Sequence, residues 1–287
     1  DDIDHLLTTR ARQGFTVIQA VVLAEFDGLR APNREGHLPL IDEDPTKPNE
    51  KYMEIVDYAI DRCATLGLTM ALLPTWGDKV NKAWGDGPEV FTPDNAAVFA
   101  TYLAERYRGK PIFWVIGGDR PIATDVHQQI WRRMGQAIRA VVGREQLITF
   151  HPNGRASSAD MVHHETWLDM NMMQSGHSLR DNPNWSMIRE GRAKEPAKPI
   201  LDGEPNYEDH PVKAVGPGGW LSIPGQYFDD YDVRKSLYRS LFAGACGYTY
   251  GCHDIWQCYD PKLNPPINGP RTHWRDALPV SYTHLTL

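Results

Sequence analysis

The chain has 287 residues, with a hydrophobic share of 41%, a charged share of 23% and a net charge of −7. This is the composition of a core-forming globular domain, and the length suits a one-domain α/β barrel of about 250 residues. No Lys/Arg-rich block occurs, which argues against a nucleic-acid partner, and no apolar run reaches the roughly 18 residues needed to cross a bilayer, so no membrane partner is expected.

A helical pattern covers 4–14 and closes on Gly14, and the β-branched run 16–23 reads as a strand. Residues 49–67 place Tyr52, Ile55, Val56, Ala59, Ile60 and Cys63 at i, i+3, i+4 spacing, the signature of an amphipathic helix. The apolar run 68–73 is a buried strand ended by Pro74. Thr92 and Pro93 cap a third helix over 92–108, with proline in the favoured first turn. A strand at 111–116, a helix at 124–142 and a short strand at 147–150 follow. A weaker helix at 158–169, a strand at 171–174, a helix at 185–192 and a strand at 199–202 continue the rhythm. A helix at 232–246 and a strand at 247–250 close it.

Repeated strand–helix units imply parallel strands joined by right-handed crossovers. No glycine-rich phosphate loop follows an early strand, whereas polar residues follow nearly every strand. That distribution fits a (β/α)8 TIM barrel, whose site is built from the loops at the C-terminal ends of all its strands. Counted this way, strand one falls before Asp1 and the run at 16–23 is strand two. Residues 1–279 then form an incomplete barrel with unpaired strand edges. The segment 280–287 breaks the periodicity and is expected to be non-native.

Strand four ends in Trp114-Val115-Ile116-Gly117-Gly118-Asp119-Arg120, and strand seven runs into Asp202-Gly203-Glu204-Pro205-Asn206-Tyr207-Glu208. Each places a carboxylate just past a strand end, beside glycines that permit close backbone approach. A single strand-end acid is ordinarily a helix cap or a surface ion pair. Two of them on opposite strands of a barrel suit glycoside cleavage, in which one carboxyl protonates the leaving oxygen and the other attacks carbon or activates water. Sugar hydroxyls need further donors and acceptors at the other strand ends: Gln19, Asp78, His151, Asn153, Gln174, His177 and Tyr207 are the candidates, with Trp76 and Trp256 as aromatic platforms. Arg120, with Arg155, could hold a uronate by paired hydrogen bonds, or orient the catalytic acids.

His151, His177, His210 and His253 also permit a metal site, but no H-x-H stands on an early strand, so no metal and no cofactor is expected. Cys63, Cys246, Cys252 and Cys258 form no C-x-x-C pair and read as reduced thiols.

These motifs, with His151-Pro152-Asn153-Gly154, Gln174-Ser175-Gly176-His177, Gly247-Tyr248-Thr249-Tyr250-Gly251 and Trp274-Arg275-Asp276-Ala277-Leu278, resemble the apiosidase-like glycoside hydrolases, glycoside hydrolase family 140 and its relatives. The resemblance spans residues 1–279. It implies a (β/α)8 barrel that removes terminal apiose from pectic side chains, with a carbohydrate as its partner and a secreted or periplasmic location. By motif, Asp119 takes the general acid/base role and Glu204 the nucleophile role, with retention of configuration favoured. Similar retaining barrels carry Glu on strand four, so Asp119 is a departure. Rival readings are a barrel glycosidase of other specificity (a galactosidase or endo-glucanase), a metal-dependent hydrolase, and a non-catalytic carbohydrate-binding barrel.

Overall fold

The helices begin where the sequence supplies capping groups. Asn49 accepts the N–H of Lys51 at the start of α2 (Glu50–Thr65), and Thr124 accepts that of His127 at α4 (Asp125–Val142). Thr92 and Asn95 satisfy each other's backbone N–H in a capping box at α3 (Pro93–Tyr107), with Pro93 in the first turn. These groups pair helix donors that have no intrahelical partner. The computed structural model describes residues 1–279 apart from 86, 217, 218 and 264, and the segment 280–287 lies outside the described residues.

The chain divides into two units, Asp1–Asn153 with Asp160–Met170, and Gly154–Ala159 with the chain from Asn171 on. In the first, α1 (Asp2–Arg12) leads into β1 (Val17–Leu23), and β2 (Thr69–Thr75), β3 (Ile112–Gly117) and β4 (Ile148–His151) follow, each after a helix. The four strands pair in sequence order and all in parallel. α2 buries Met53, Ile60 and Cys63, α3 buries Phe99 and Leu103, and α4 buries Trp131, Met134 and Ile138. These pack with Leu72, Trp114, Ile116 and Phe150 of the strands in one apolar core. One polar group inside it is fully used: Gln146 accepts the Trp114 indole N–H at 2.9 Å and donates to the carbonyls of Tyr107 and Lys110.

Strand β2 runs through Pro74 instead of ending there. Met70 donates its N–H to Pro111, and by alternation the N–H that Pro74 lacks would face β3, beyond the last paired residues of that ladder, Leu72 and Trp114. No ladder bond is lost.

The helix expected over 158–169 shrinks to one turn, α5 (Ser158–Met161), preceded by the two-residue β5 (Ala156–Ser157). Beyond it the side chains are drawn into separate contacts. The Trp167 ring fills the space over Gly135 of α4, and Asp169 takes the N–H of Ile148 together with ion pairs from Arg139 and Arg144. His163 is buried there.

In the second unit, β6 (Asn171–Gln174), β7 (Ile200–Asp202) and β10 (Gly247–Tyr248) pair in parallel in the order β10-β7-β6, and β5 adds an antiparallel edge to β6. β7 follows α6 (Asn184–Arg192), and β10 follows α7 (Asp230–Phe242), which Asp229 and Asp232 open with a second capping box. Met173, Ile188 and Ile200 form the apolar contact between strands and α6. An antiparallel hairpin, β8 (Pro211–Gly216) and β9 (Gly219–Tyr227), and two one-turn helices, α8 (His253–Trp256) and α9 (Trp274–Ala277), complete it. None of these was expected from periodicity.

Candidate active site

The end of β3 is held by backbone geometry that only its sequence allows. Gly117 and Gly118 have φ of 95° and 133°, and Asp119 follows at 48°. A Cβ on Gly117 would stand 2.3 Å from the His151 carbonyl oxygen, and one on Gly118 would stand 2.7 Å from the Gly77 nitrogen. In that space Gly118 donates its N–H to His151 O and accepts the N–H of Gly77, so the ends of β2, β3 and β4 are tied together. Asp119 occupies the left-handed region that aspartate tolerates better than most residues.

The Asp119 side chain is 25% exposed, while Arg120 beside it is 2% exposed. Arg120 donates Nη1 to the Asp119 carbonyl at 2.7 Å and lies 3.4 Å from Asp119 Oδ2. Its guanidinium stacks 5.0 Å from the Trp84 ring centre, and Trp84 Nε1 lies 3.4 Å from the same Oδ2. Of the two sequence readings of Arg120, this geometry fits the orienting one. Trp84 itself was missed: it is 55% exposed, in a loop where Gly85 and Gly87 follow it and mark a turn.

His151 is fully buried, and its Nδ1 lies 2.9 Å from the Pro152 carbonyl oxygen. That contact requires a proton on Nδ1, so the 3.4 Å approach of Asp119 N to the same atom is not a hydrogen bond. Trp76 packs its ring 5.2 Å from that of His151, and its Nε1 is buried with no protein partner. Asn153 is half-buried after β4.

Two residues expected to contact sugar, Asp78 and Gln19, stand in other surroundings. Asp78 is completely buried, accepts Lys79 Nζ at 2.9 Å and Phe26 N–H at 2.8 Å, and so anchors the loop after β1. Burial raises the pKa of its carboxyl, and Lys79 opposes that rise in part. Gln19 lies mid-strand opposite Ala71, four residues before the end of β1, or roughly 13 Å from the loop end at ~3.3 Å per residue.

In the second unit, Glu204 is 6% exposed at its side chain, with Oε1 3.6 Å from His177 Nδ1. Burial lowers the His177 pKa, with Glu204 opposing, so the imidazole is neutral near pH 7 and the contact is not an ion pair. His177 stacks 4.7 Å from Tyr207. Gln174, the last residue of β6, is buried with its Oε1 unpartnered by protein. Trp256 is 38% exposed and donates Nε1 to His253 Nδ1 at 3.1 Å.

Sequence reasoning left three neighbours out of the site. Glu208 accepts the Tyr250 hydroxyl at 2.6 Å. Asp202 is fully buried, and Ser175 donates to it at 2.8 Å and Ser240 at 3.3 Å. Burial nevertheless pushes Asp202 up to about 6. His210 packs between His177 and His253, with ring centres at 4.2 and 4.6 Å. The signal for Glu208 and Asp202 was their motif with Glu204, whereas His210 had none beyond its residue type. Among the described residues, no three His, Cys, Asp or Glu side chains form a grouping suited to a metal ion.

The family model for the apiosidase-like catalytic domain matches residues 1–283. A solved structure described as a glycoside hydrolase is 32% identical with a TM-score of 0.85, and the match covers 99% of this chain and 64% of that one. A glycoside hydrolase family 5 structure from Bacteroides vulgatus ATCC 8482 is 31% identical with a TM-score of 0.83, covering 97% of this chain and 60% of that one. The chain thus spans less than two thirds of the length of either. A family 1 β-glucosidase from Thermotoga maritima, 10% identical over 86% of this chain and 75% of that one with a TM-score of 0.54, shares the fold: parallel strands alternating with helices, as in barrel glycosidases. No curated protein matches. The chain belongs to the family of apiosidase-like catalytic domains.

Proposed function

We propose that the chain is the catalytic part of a (β/α)8-barrel glycoside hydrolase that removes a terminal sugar, apiose, from pectic side chains, with Asp119 and Glu204 as its two carboxylates. The observation that carries this reading is the match to the apiosidase-like catalytic domain along residues 1–283. Two structural features support it. Asp119 is partly exposed beyond the end of β3 and beside a fixed guanidinium, a setting that keeps a carboxyl reachable by substrate. Glu204 is nearly buried beyond the end of β7 and next to a neutral imidazole, a setting that holds its orientation. In this reading Asp119 is the general acid/base and Glu204 the nucleophile, with retention at the anomeric carbon. Trp84 and Trp256 are the exposed indoles that stack on sugar rings, and the secreted or periplasmic location follows from a polysaccharide substrate.

The test is a sugar-release assay on apiose-bearing pectic oligosaccharides. Asp119→Asn and Glu204→Gln are each expected to lower kcat by about 10²–10⁴-fold while binding survives. Near-normal turnover in either variant would remove that residue from the mechanism. Release of a different sugar from a glycoside panel would keep the carboxylates and discard apiose. NMR of the first-formed product anomer reads retention directly.

A further inference from the structure

Three imidazoles from three separate elements meet inside the second unit. His177 follows β6, His210 precedes β8, and His253 opens α8. Their rings meet in a column of contacts, His177 tilted against His210 at 4.2 Å and 53°, and His210 edge to face with His253 at 4.6 Å and 79°. One end of the column touches Glu204, where His177 Nδ1 stands 3.6 Å from Oε1. The other end holds Trp256, whose indole N–H donates to His253 Nδ1 at 3.1 Å.

The hydrogen bonds assign the protons. His210 Nδ1 lies 2.8 Å from the Pro211 carbonyl oxygen and must carry a hydrogen to bond it. His253 accepts at Nδ1, so its hydrogen sits on Nε2, which faces the Asn268 carbonyl oxygen at 3.2 Å. His210 and His253 are therefore each oriented by a bond that only one neutral tautomer can make. The charged groups facing the column are Glu204 and Lys213, and the backbone oxygens of Pro205, Pro211, Ile267 and Asn268 complete its surroundings. Burial holds His210 down at about 2 and His253 at about 4, so neither takes up a proton near neutrality.

We propose that His210 and His253 are positioning residues, which set Glu204 through His177 and set Trp256 through a direct hydrogen bond. The proposal rests on the reading of Glu204 as a catalytic carboxylate. A neutral, close-packed column transmits orientation without placing a cation beside that carboxylate. The two ends of the column then carry separable roles: Glu204 governs turnover, and Trp256, half-exposed, governs how the sugar is held.

The experiment is steady-state kinetics across pH on the wild type, His210→Phe, His253→Leu and His253→Asn, with Glu204→Gln as control. His253→Leu removes the acceptor for Trp256 and is expected to raise KM about fivefold with kcat little changed, the effect of one lost hydrogen bond. His253→Asn keeps an oxygen where Nδ1 stands and restores KM. His210→Phe keeps a ring but loses its fixed orientation, and is expected to lower kcat about tenfold and to shift the pH limb set by Glu204. Wild-type kcat, KM and pH profile in folded His210→Phe and His253→Leu would overturn the proposal, as would failure of asparagine to restore KM. Full activity in Glu204→Gln overturns the reading of Glu204 and with it the His210 role. An inactive Glu204→Gln beside a wild-type-like His210→Phe overturns the His210 role alone. Should a variant fail to fold, nitrogen-15 NMR of the wild-type histidines decides. The proposal requires His210 with hydrogen on Nδ1 and His253 with hydrogen on Nε2 from pH 5 to 8, and titration of either in that window overturns it.

Discussion

Asp78 and Lys79 are fully buried neighbours, and every donor of the Lys79 ammonium is taken: Asp78 Oδ2 at 2.9 Å, Phe26 O at 2.7 Å and Gly87 O at 2.8 Å. Replacing such a pair with apolar residues can be neutral, but removing one partner strands the other charge in the interior. Asp78→Ala is therefore expected to destabilise the protein by about 3–5 kcal/mol, measured by urea unfolding. A residue that merely touched substrate would raise KM and leave the unfolding midpoint where it is. From sequence, Asp78 looks like any polar residue after a strand. Its burial depends on Phe26, some fifty residues earlier in the chain, so no local pattern could reveal it. The same holds for His210, whose neighbours His177 and His253 come from other elements. Asp119 and Glu204 differ because glycines beside them in the sequence mark strand ends.

At the scale of elements, most boundaries were legible because they are set locally. Thr92, Thr124 and Asn49 cap their helices by hydrogen bonds within a few residues. The hairpin β8–β9 carries a local signal as well, glycine and proline over 216–219 between two β-prone runs, but it breaks the strand–helix alternation. Past the short helix α5, Trp167 makes a longer-range contact with Gly135. Glycine inside a helix costs about 1 kcal/mol relative to alanine, so propensity alone favours Gly135→Ala. A Cβ there would approach the Trp167 ring to 2.4 Å, and that ring is 1% exposed. Overpacking of this kind costs about 1–3 kcal/mol, so the clash outweighs the propensity gain. Gly135→Ala is expected to lower the thermal midpoint, and a rise would mean that Trp167 can shift.

For the whole molecule, buried titratable groups determine how stability responds to pH. His210 at about 2, His253 at about 4 and the lowered His177 all lie below their ordinary 6.5. The unfolded chain takes up their protons first, so the stability tied to their neutral forms is present above pH 6.5 and is lost as pH falls. Asp202 acts in the opposite sense. Raised from 3.8 to about 6, it favours the folded state below its unfolded value, and that contribution is lost as pH rises through about 6. Asp78, Asp232 and Asp254 are raised by burial as well, but between pH 7 and pH 5 the unfolded imidazoles titrate through 6.5, and their loss leads on acidification. The urea midpoint is expected to drop between pH 7 and pH 5, and His210→Phe should shrink that drop. A midpoint that rises on acidification would mean that Asp202 outweighs the histidines.

The sequence by itself determined the alternation of strands and helices, the caps and the family. Each of these is written in short-range spacing or contiguous motifs. It also singled out Asp119 and Glu204, because glycines and aromatic residues stand next to them in the chain. Only the tertiary structure decided that Asp78 is an anchor, that Gln19 lies low in its strand, that Trp84 stands beside Asp119, and that three distant histidines meet between Glu204 and Trp256. Those facts depend on burial and on contacts between residues far apart in sequence, and periodicity carries no record of them.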